Sequence, residues 1–187
     1  LAALVEQARL RETGAFRVEL GVGNRPKVED AHLRDLLELL RERHPQARLV
    51  VIGESMGAAV AIGAARQAQL DVDGVVLVAP AVWSRDTMPW YQRLALDVAA
   101  RTLPALELTG KGLEIYPSDN EPMLVEMSKD PLVIKATRID ALWGVTNVMD
   151  AAASWPQRND STRHPHILIL YGERDEIIPP RAFCRFI

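Results

Sequence analysis

Of 187 residues only one is cysteine, Cys184. An internal disulfide is therefore excluded, and the residue reads as a small apolar filler. Positive charge is not in surplus either: 22 Lys and Arg stand against 25 Asp and Glu, a net charge of −3. Holding a nucleic-acid backbone needs a basic face, so no nucleic acid is expected as a partner. No apolar run reaches the roughly 18 residues that suggest a membrane span. The longest are broken by Glu54 or are rich in Ala and Gly. No cluster of His, Cys, Asp and Glu has metal-ligand spacing, so neither metal nor cofactor is expected. Internal repeats and low-complexity segments are also missing. No signal peptide is visible, and a cytoplasmic location is favoured. The chain opens on Leu1 rather than on methionine and closes on Phe186–Ile187 in mid-pattern, so it reads as a piece of a longer protein.

Apolar residues make up 48% and charged residues 25%, the balance of one soluble globular domain. Leu1–Arg11 suits a short helix and Ala15–Asn24 a strand. From Glu29, leucines at 33, 36, 37 and 40 mark a helix with acids in its first turn and Arg41, Arg43 and His44 in its last. Pro45 stops it. Arg48–Gly53 is an unbroken apolar run of strand length, Met56–Gln69 an Ala-rich helix, and Gly74–Pro80 a second strand. His166–Gly172 is a third. Buried strands alternating with helices predict an α/β fold with a mostly parallel sheet. The intervening segment, approximately 81–155, reads as a helical cap on a single partial domain spanning 1–187. Within it Pro89–Arg101 and Val133–Trp155 are expected to be helices, with a turn-rich loop at Gly110–Pro122.

The run LVVIGESMGAAVAIGAA places Ser55 between Gly53 and Gly57. A G-x-S-x-G motif between a strand and a helix is the setting of a nucleophile elbow. The turn is tight, the serine backbone is strained, and only very small side chains are expected to fit at Gly53 and Gly57. The following helix points its N-terminus at the serine, where the Met56 amide can donate to an oxyanion. The bland alternative is a glycine turn with an incidental serine, because the motif arises by chance in about 6% of chains this long.

A hydroxyl nucleophile needs a base, and the base needs an orienting acid, in the chain order Ser, acid, His. In ILILYGERDEIIPP, Asp175 lies in the loop after the third strand, with Glu173 and Glu176 as rivals and Pro179 and Pro180 stiffening the exit. None of the four histidines fits. His32 lies in an amphipathic helix as a surface residue. His44 precedes the strand that carries Ser55, roughly 17 Å from the turn. His164 and His166 enter the third strand at its far end. The base is expected beyond Ile187, and the 187 residues alone are expected to be inactive.

GESMGAAVA, VDGVVLVAPAV, DPLV at Asp130–Val133 and LYGERDEIIPP together resemble the monoacylglycerol lipase and lysophospholipase branch of the α/β-hydrolases, also called serine-aminopeptidase-like (S33) hydrolases. The likeness runs from about Glu29 to Ile187. It implies an α/β-hydrolase fold with a helical cap and a Ser–Asp–His site. Ser55 then matches the nucleophile, Asp175 the triad acid and Met56 one oxyanion amide. Trp83, Trp90 and Trp143 are candidates to bind substrate in the cap, against ordinary packing for each. Ala58 stands where the family has a second glycine. The early His-Gly stretch that brings the other oxyanion donor is missing, and VELGVGNRP only approximates the family's glycine turn. The implied activity is hydrolysis of lipid-like carboxylic esters, monoacylglycerol or lysophospholipid, with transient contact at a membrane surface. The alternatives are an aminopeptidase, a thioesterase, an acyltransferase, or a non-catalytic relative lacking the histidine.

Overall fold

The structure, a computed structural model, describes residues 29–67, 70–110, 115–155 and 165–187. The expected helix at Leu1–Arg11 and strand at Ala15–Asn24 lie outside the described residues. So does His164.

Helix α1 (Glu29–Arg43) presents Leu33 and Leu37 to the interior. Its end is held by more than a dipole. Arg41 donates to the Ala47 carbonyl at 2.8 Å and pairs with Asp71 at 3.0 Å and Asp73 at 3.4 Å. Asp73 in turn accepts the Leu49 amide at 2.7 Å. One guanidinium thus gathers the end of α1 and the starts of the next two strands.

Strands β1 (Val50–Glu54) and β2 (Gly74–Val78) pair in parallel, with helix α2 (Met56–Gln67) crossing between them. Strand β5 (His166–Leu170) pairs in parallel on the other side of β2. The register runs straight across, so that Glu54, Val78 and Leu170 lie side by side. Ala58, Ala59, Ala61 and Ala64 of α2 are buried. Small side chains let this helix lie close to Val75 and Leu77 of the central strand. The opposite sheet face carries Val50, Ile52, Leu168 and Leu170, which are exposed among the described residues.

The segment between β2 and β5 holds α3 (Trp90–Thr102), β3 (Glu107–Thr109), α4 (Glu121–Lys129), β4 (Ala136–Arg138) and α5 (Ile139–Ala153). The helix expected at Pro89–Arg101 is present within a residue. The one expected at Val133–Trp155 is not: it begins only at Ile139, because Ala136–Arg138 is drawn into an antiparallel pair with Glu107–Thr109. The loop expected at Gly110–Pro122 already turns helical at Glu121, where Asn120 Oδ1 accepts the Met123 amide. Helix α5 buries Ile139, Thr146, Met149 and Ala152. Helix α6 (Pro180–Phe186) closes the described chain, turning Ala182 and Phe186 inward. Cys184 is on its outer face and exposed, so it is not the apolar filler expected: the two inward positions of this short helix are already taken. No described helix is long and apolar enough to cross a membrane.

Candidate active site

Ser55 sits in the one-residue turn between β1 and α2 and is exposed. Its φ is 49°, the left-handed region, which costs a residue with a Cβ about 1–2 kcal/mol. Only one other non-glycine residue among those described shares this conformation, Ala79 with φ 42°. The Ser55 amide donates to the Val78 carbonyl at 2.8 Å, and its carbonyl accepts from Ala81 at 3.0 Å and Ala58 at 3.1 Å. The main chain of the serine is therefore held from both sides while its side chain projects at the carboxyl edge of the sheet.

The two glycines around it are not equivalent. A Cβ at Gly53 would lie 2.7 Å from the Ala58 Cα, the Ala58 nitrogen and the Gly57 oxygen, all main-chain atoms. At Gly57 a Cβ would meet nothing within 4 Å. The steric need expected of both holds at Gly53 alone. Gly57 opens the helix on a side with room.

Met56 is the first residue of α2, where helix geometry provides its amide with no carbonyl four residues back. The positive end of the helix dipole falls beside Ser55. The Met56 side chain packs against the core.

Asp175 lies five residues beyond Leu170. Two strand spacings, about 10 Å, separate the ends of β1 and β5. The acid is half-buried. Its Oδ1 accepts the Ile177 amide at 2.9 Å and the Ile178 amide at 2.8 Å, and its own amide donates to the Gly172 carbonyl at 3.1 Å. Among the described residues Oδ2 has no partner. Tyr171 closes the loop behind it. The phenol donates to the Ile178 carbonyl at 2.7 Å and the ring stacks on Phe183 at 3.9 Å. Burial raises the Tyr171 pKa above its ordinary value, and the charges of Asp175 and Cys184 add to the effect. Of the two rival acids, Glu176 is exposed and accepts the Tyr116 amide at 2.7 Å, while Glu173 stands exposed on the turn.

His44 and His166 remain at the opposite edge. His166 opens β5 level with Gly74, four residues and roughly 13 Å from the edge that carries Ser55. The three tryptophans take different places. Trp83 packs on the core. Trp143 lies under the Arg85 guanidinium, 4.2 Å from its ring centre. Trp90 is 75% exposed, beside Tyr91. None of them lines either of the two cavities, of about 390 and 260 Å³, described in the structure. Arg85 also grips Asp150 through its main-chain amide, at 2.7 Å, and its guanidinium. No sequence motif marks that pair. Among the described residues no three His, Cys, Asp or Glu side chains group to hold a metal.

The family described as serine aminopeptidase, S33, matches residues 27–187. The chain belongs to this family. No protein of curated function is detectably similar in sequence. Among solved structures, the monoacylglycerol lipase of Paleococcus ferrophilus is 22% identical with a TM-score of 0.65, covering 91% of this chain and 63% of its own. A soluble variant of monoglyceride lipase from Saccharomyces cerevisiae is 16% identical with a TM-score of 0.61, covering 84% and 53%. A metagenome-derived lipolytic enzyme, from a study of LipS and LipT, is 21% identical with a TM-score of 0.59, covering 93% and 67%. The shared fold is the α/β-hydrolase fold, and this S33 chain spans less than two thirds of the length of the first two structures.

Proposed function

We propose that this chain carries the nucleophile and the acid of a serine hydrolase that cleaves carboxylic esters of lipid-like substrates, monoacylglycerols or lysophospholipids. The observation that carries the reading is Ser55, held left-handed at the carboxyl edge of the sheet, with Asp175 on the same edge beyond β5. Ser55 Oγ attacks the ester carbonyl. The histidine expected beyond Ile187 takes its proton, and Asp175 Oδ2 accepts that imidazole's N–H and stabilises its charge. The Met56 amide donates to the tetrahedral oxyanion. The histidine then returns the proton to the leaving alcohol, and water releases the acyl group from Ser55. The two amides on Asp175 Oδ1 hold the carboxylate by one oxygen and leave the second for the imidazole.

The lipid part rests on separate support. Two neighbours in fold are named as lipases of monoacylglycerol or monoglyceride. The segment 81–155 acts as a cap, and its helix α3 exposes Trp90, Tyr91, Leu94 and Val98 beside Arg93 and Arg101. Such a stripe suits transient contact with a lipid surface. Trp83 and Trp143 serve to seat the cap on the sheet.

The test is turnover of long-chain monoacylglycerol by the full chain, with Ser55→Ala and Asp175→Ala beside it. Loss of about 10⁴-fold or more in kcat for Ser55→Ala is expected. Undiminished turnover in that variant sinks the assignment. Faster cleavage of aminoacyl amides than of glycerol esters would move the substrate class to the aminopeptidase that the family description names.

A further inference from the structure

The end of the central strand β2 holds both of its neighbours. The Val78 carbonyl accepts the Ser55 amide at 2.8 Å. One residue on, the Ala79 amide donates to the Leu170 carbonyl at 2.7 Å, on the strand that leads to Asp175. Two residues further, the Ala81 amide donates back to the Ser55 carbonyl at 3.0 Å. Between these bonds the chain must reverse, and it does so at Ala79, with φ 42°. Nothing in its composition favours that. Alanine carries a Cβ, and the proline that follows presses its predecessor toward extended backbone. Strain of this kind persists only where surrounding contacts over-determine it, and it concentrates at functional sites.

We propose that Ala79 is a positioning residue: its left-handed turn locks the Ser55 backbone to the strand that leads to Asp175, and so fixes the spacing of nucleophile and acid. The inference rests on the roles given to Ser55 and Asp175 above. Ala79 touches no reacting atom. It acts through two main-chain bonds, its own amide to Leu170 on one side and the Ala81 amide to Ser55 on the other. An extended Ala79 would swing Pro80 and Ala81 away from the sheet edge and leave the Ser55 carbonyl without its Ala81 donor. The serine would then keep its bonds to Val78 and to the first turn of α2 but lose the tie that holds its carbonyl from the β2 side.

Variants at this position separate conformation from bulk. Glycine adopts a positive φ at no steric cost, whereas a β-branched residue there is a genuine outlier. In the full chain, Ala79→Gly is expected to keep the rate at which a fluorophosphonate labels Ser55 within about twofold of wild type. Ala79→Val is expected to slow it by about 10- to 100-fold at temperatures where the variant is fully folded. A purely structural role would lower the melting temperature of Ala79→Val and leave the labelling rate of the folded protein alone, which would overturn the proposal. Amide hydrogen exchange in the wild type gives a reading that needs no variant. The Ser55 and Ala81 amides are expected to exchange through one shared opening. An Ala81 amide that exchanges like an open loop, orders of magnitude faster than Ser55, would also overturn it. If wild-type Ser55 resists the phosphonate, the hydrolase reading fails instead, and the exchange result still decides whether the lock exists.

Discussion

A single methyl group added at Gly53 should be among the most damaging small changes in this chain, and the same change at Gly57 should be harmless. The Cβ of Gly53→Ala would lie 2.7 Å from three main-chain atoms of the first turn of α2. Carbon–carbon contacts are comfortable at about 3.5–4.0 Å, so roughly an ångström of relief is needed. No side chain can swing aside to provide it. The helix must move instead, and Ala58, which it carries into the core, is 0% exposed. Overpacking of a core costs about 1–3 kcal/mol, and a clash with rigid backbone belongs at the upper end. A loss of about 3 kcal/mol corresponds to a fall of about 6–12 °C in Tm for a chain of this size. Gly57→Ala meets open space and replaces a poor helix former in the first turn of α2, with up to about 1 kcal/mol to gain. The two variants should therefore differ by about 3–4 kcal/mol in urea unfolding. Equal stability of the two, or a Gly53→Ala variant within about 0.5 kcal/mol of wild type, would refute the steric account of the turn.

Further outcomes follow from the loop behind Asp175 and from the Arg85–Asp150 pair. Because burial raises the Tyr171 pKa, the folded state prefers the neutral phenol. That stabilisation is complete below the unfolded value of 10.0 and is lost as pH climbs through the higher folded value. Tyr171→Phe should lose about 1 kcal/mol at neutral pH with the bond to Ile178 and should flatten the alkaline fall in urea midpoints. Asp150→Ala strips the carboxylate from Arg85, whose side chain is 17% exposed, and should cost about 2–3 kcal/mol in thermal unfolding. Asp150→Asn, which can still accept the Arg85 amide, should recover part of that.

The sheet was legible in the sequence because its strands are apolar on the exposed face as well as the buried one and so read as unbroken apolar runs, and because α2 is written in alanine. The middle of the chain was not. Ala136–Arg138 carries no strand signal of its own; it becomes one only by pairing with Glu107–Thr109, a partner some thirty positions away. Helix α4 hides behind a proline at Pro122, which sits in its first turn and reads as a breaker until Asn120 is seen as the cap. Cys184 misled because burial statistics describe residue types, whereas the orientation of a seven-residue helix is set by Ala182 and Phe186.

At the site, legibility follows whether strain leaves a mark in residue type. The left-handed turn at Ser55 is announced by Gly53, since a close approach of main chain to main chain can be made only where Cβ is missing. Gly57 repeats the letter without the cause. Three acids crowd into Glu173–Glu176, and charge alone treats them alike. What separates them is the direction of two amides, at Ile177 and Ile178, and that direction is set by a loop that Tyr171 closes from seven residues away. Ala79 is the extreme case. It is strained as Ser55 is, it sits before a proline, and it lies between the bonds that tie β2 to both neighbours, yet an alanine in an apolar strand end attracts no notice. A turn whose strain is relieved by glycine can be found by reading. One whose strain is borne by the hydrogen bonds around it can be found only in the folded chain.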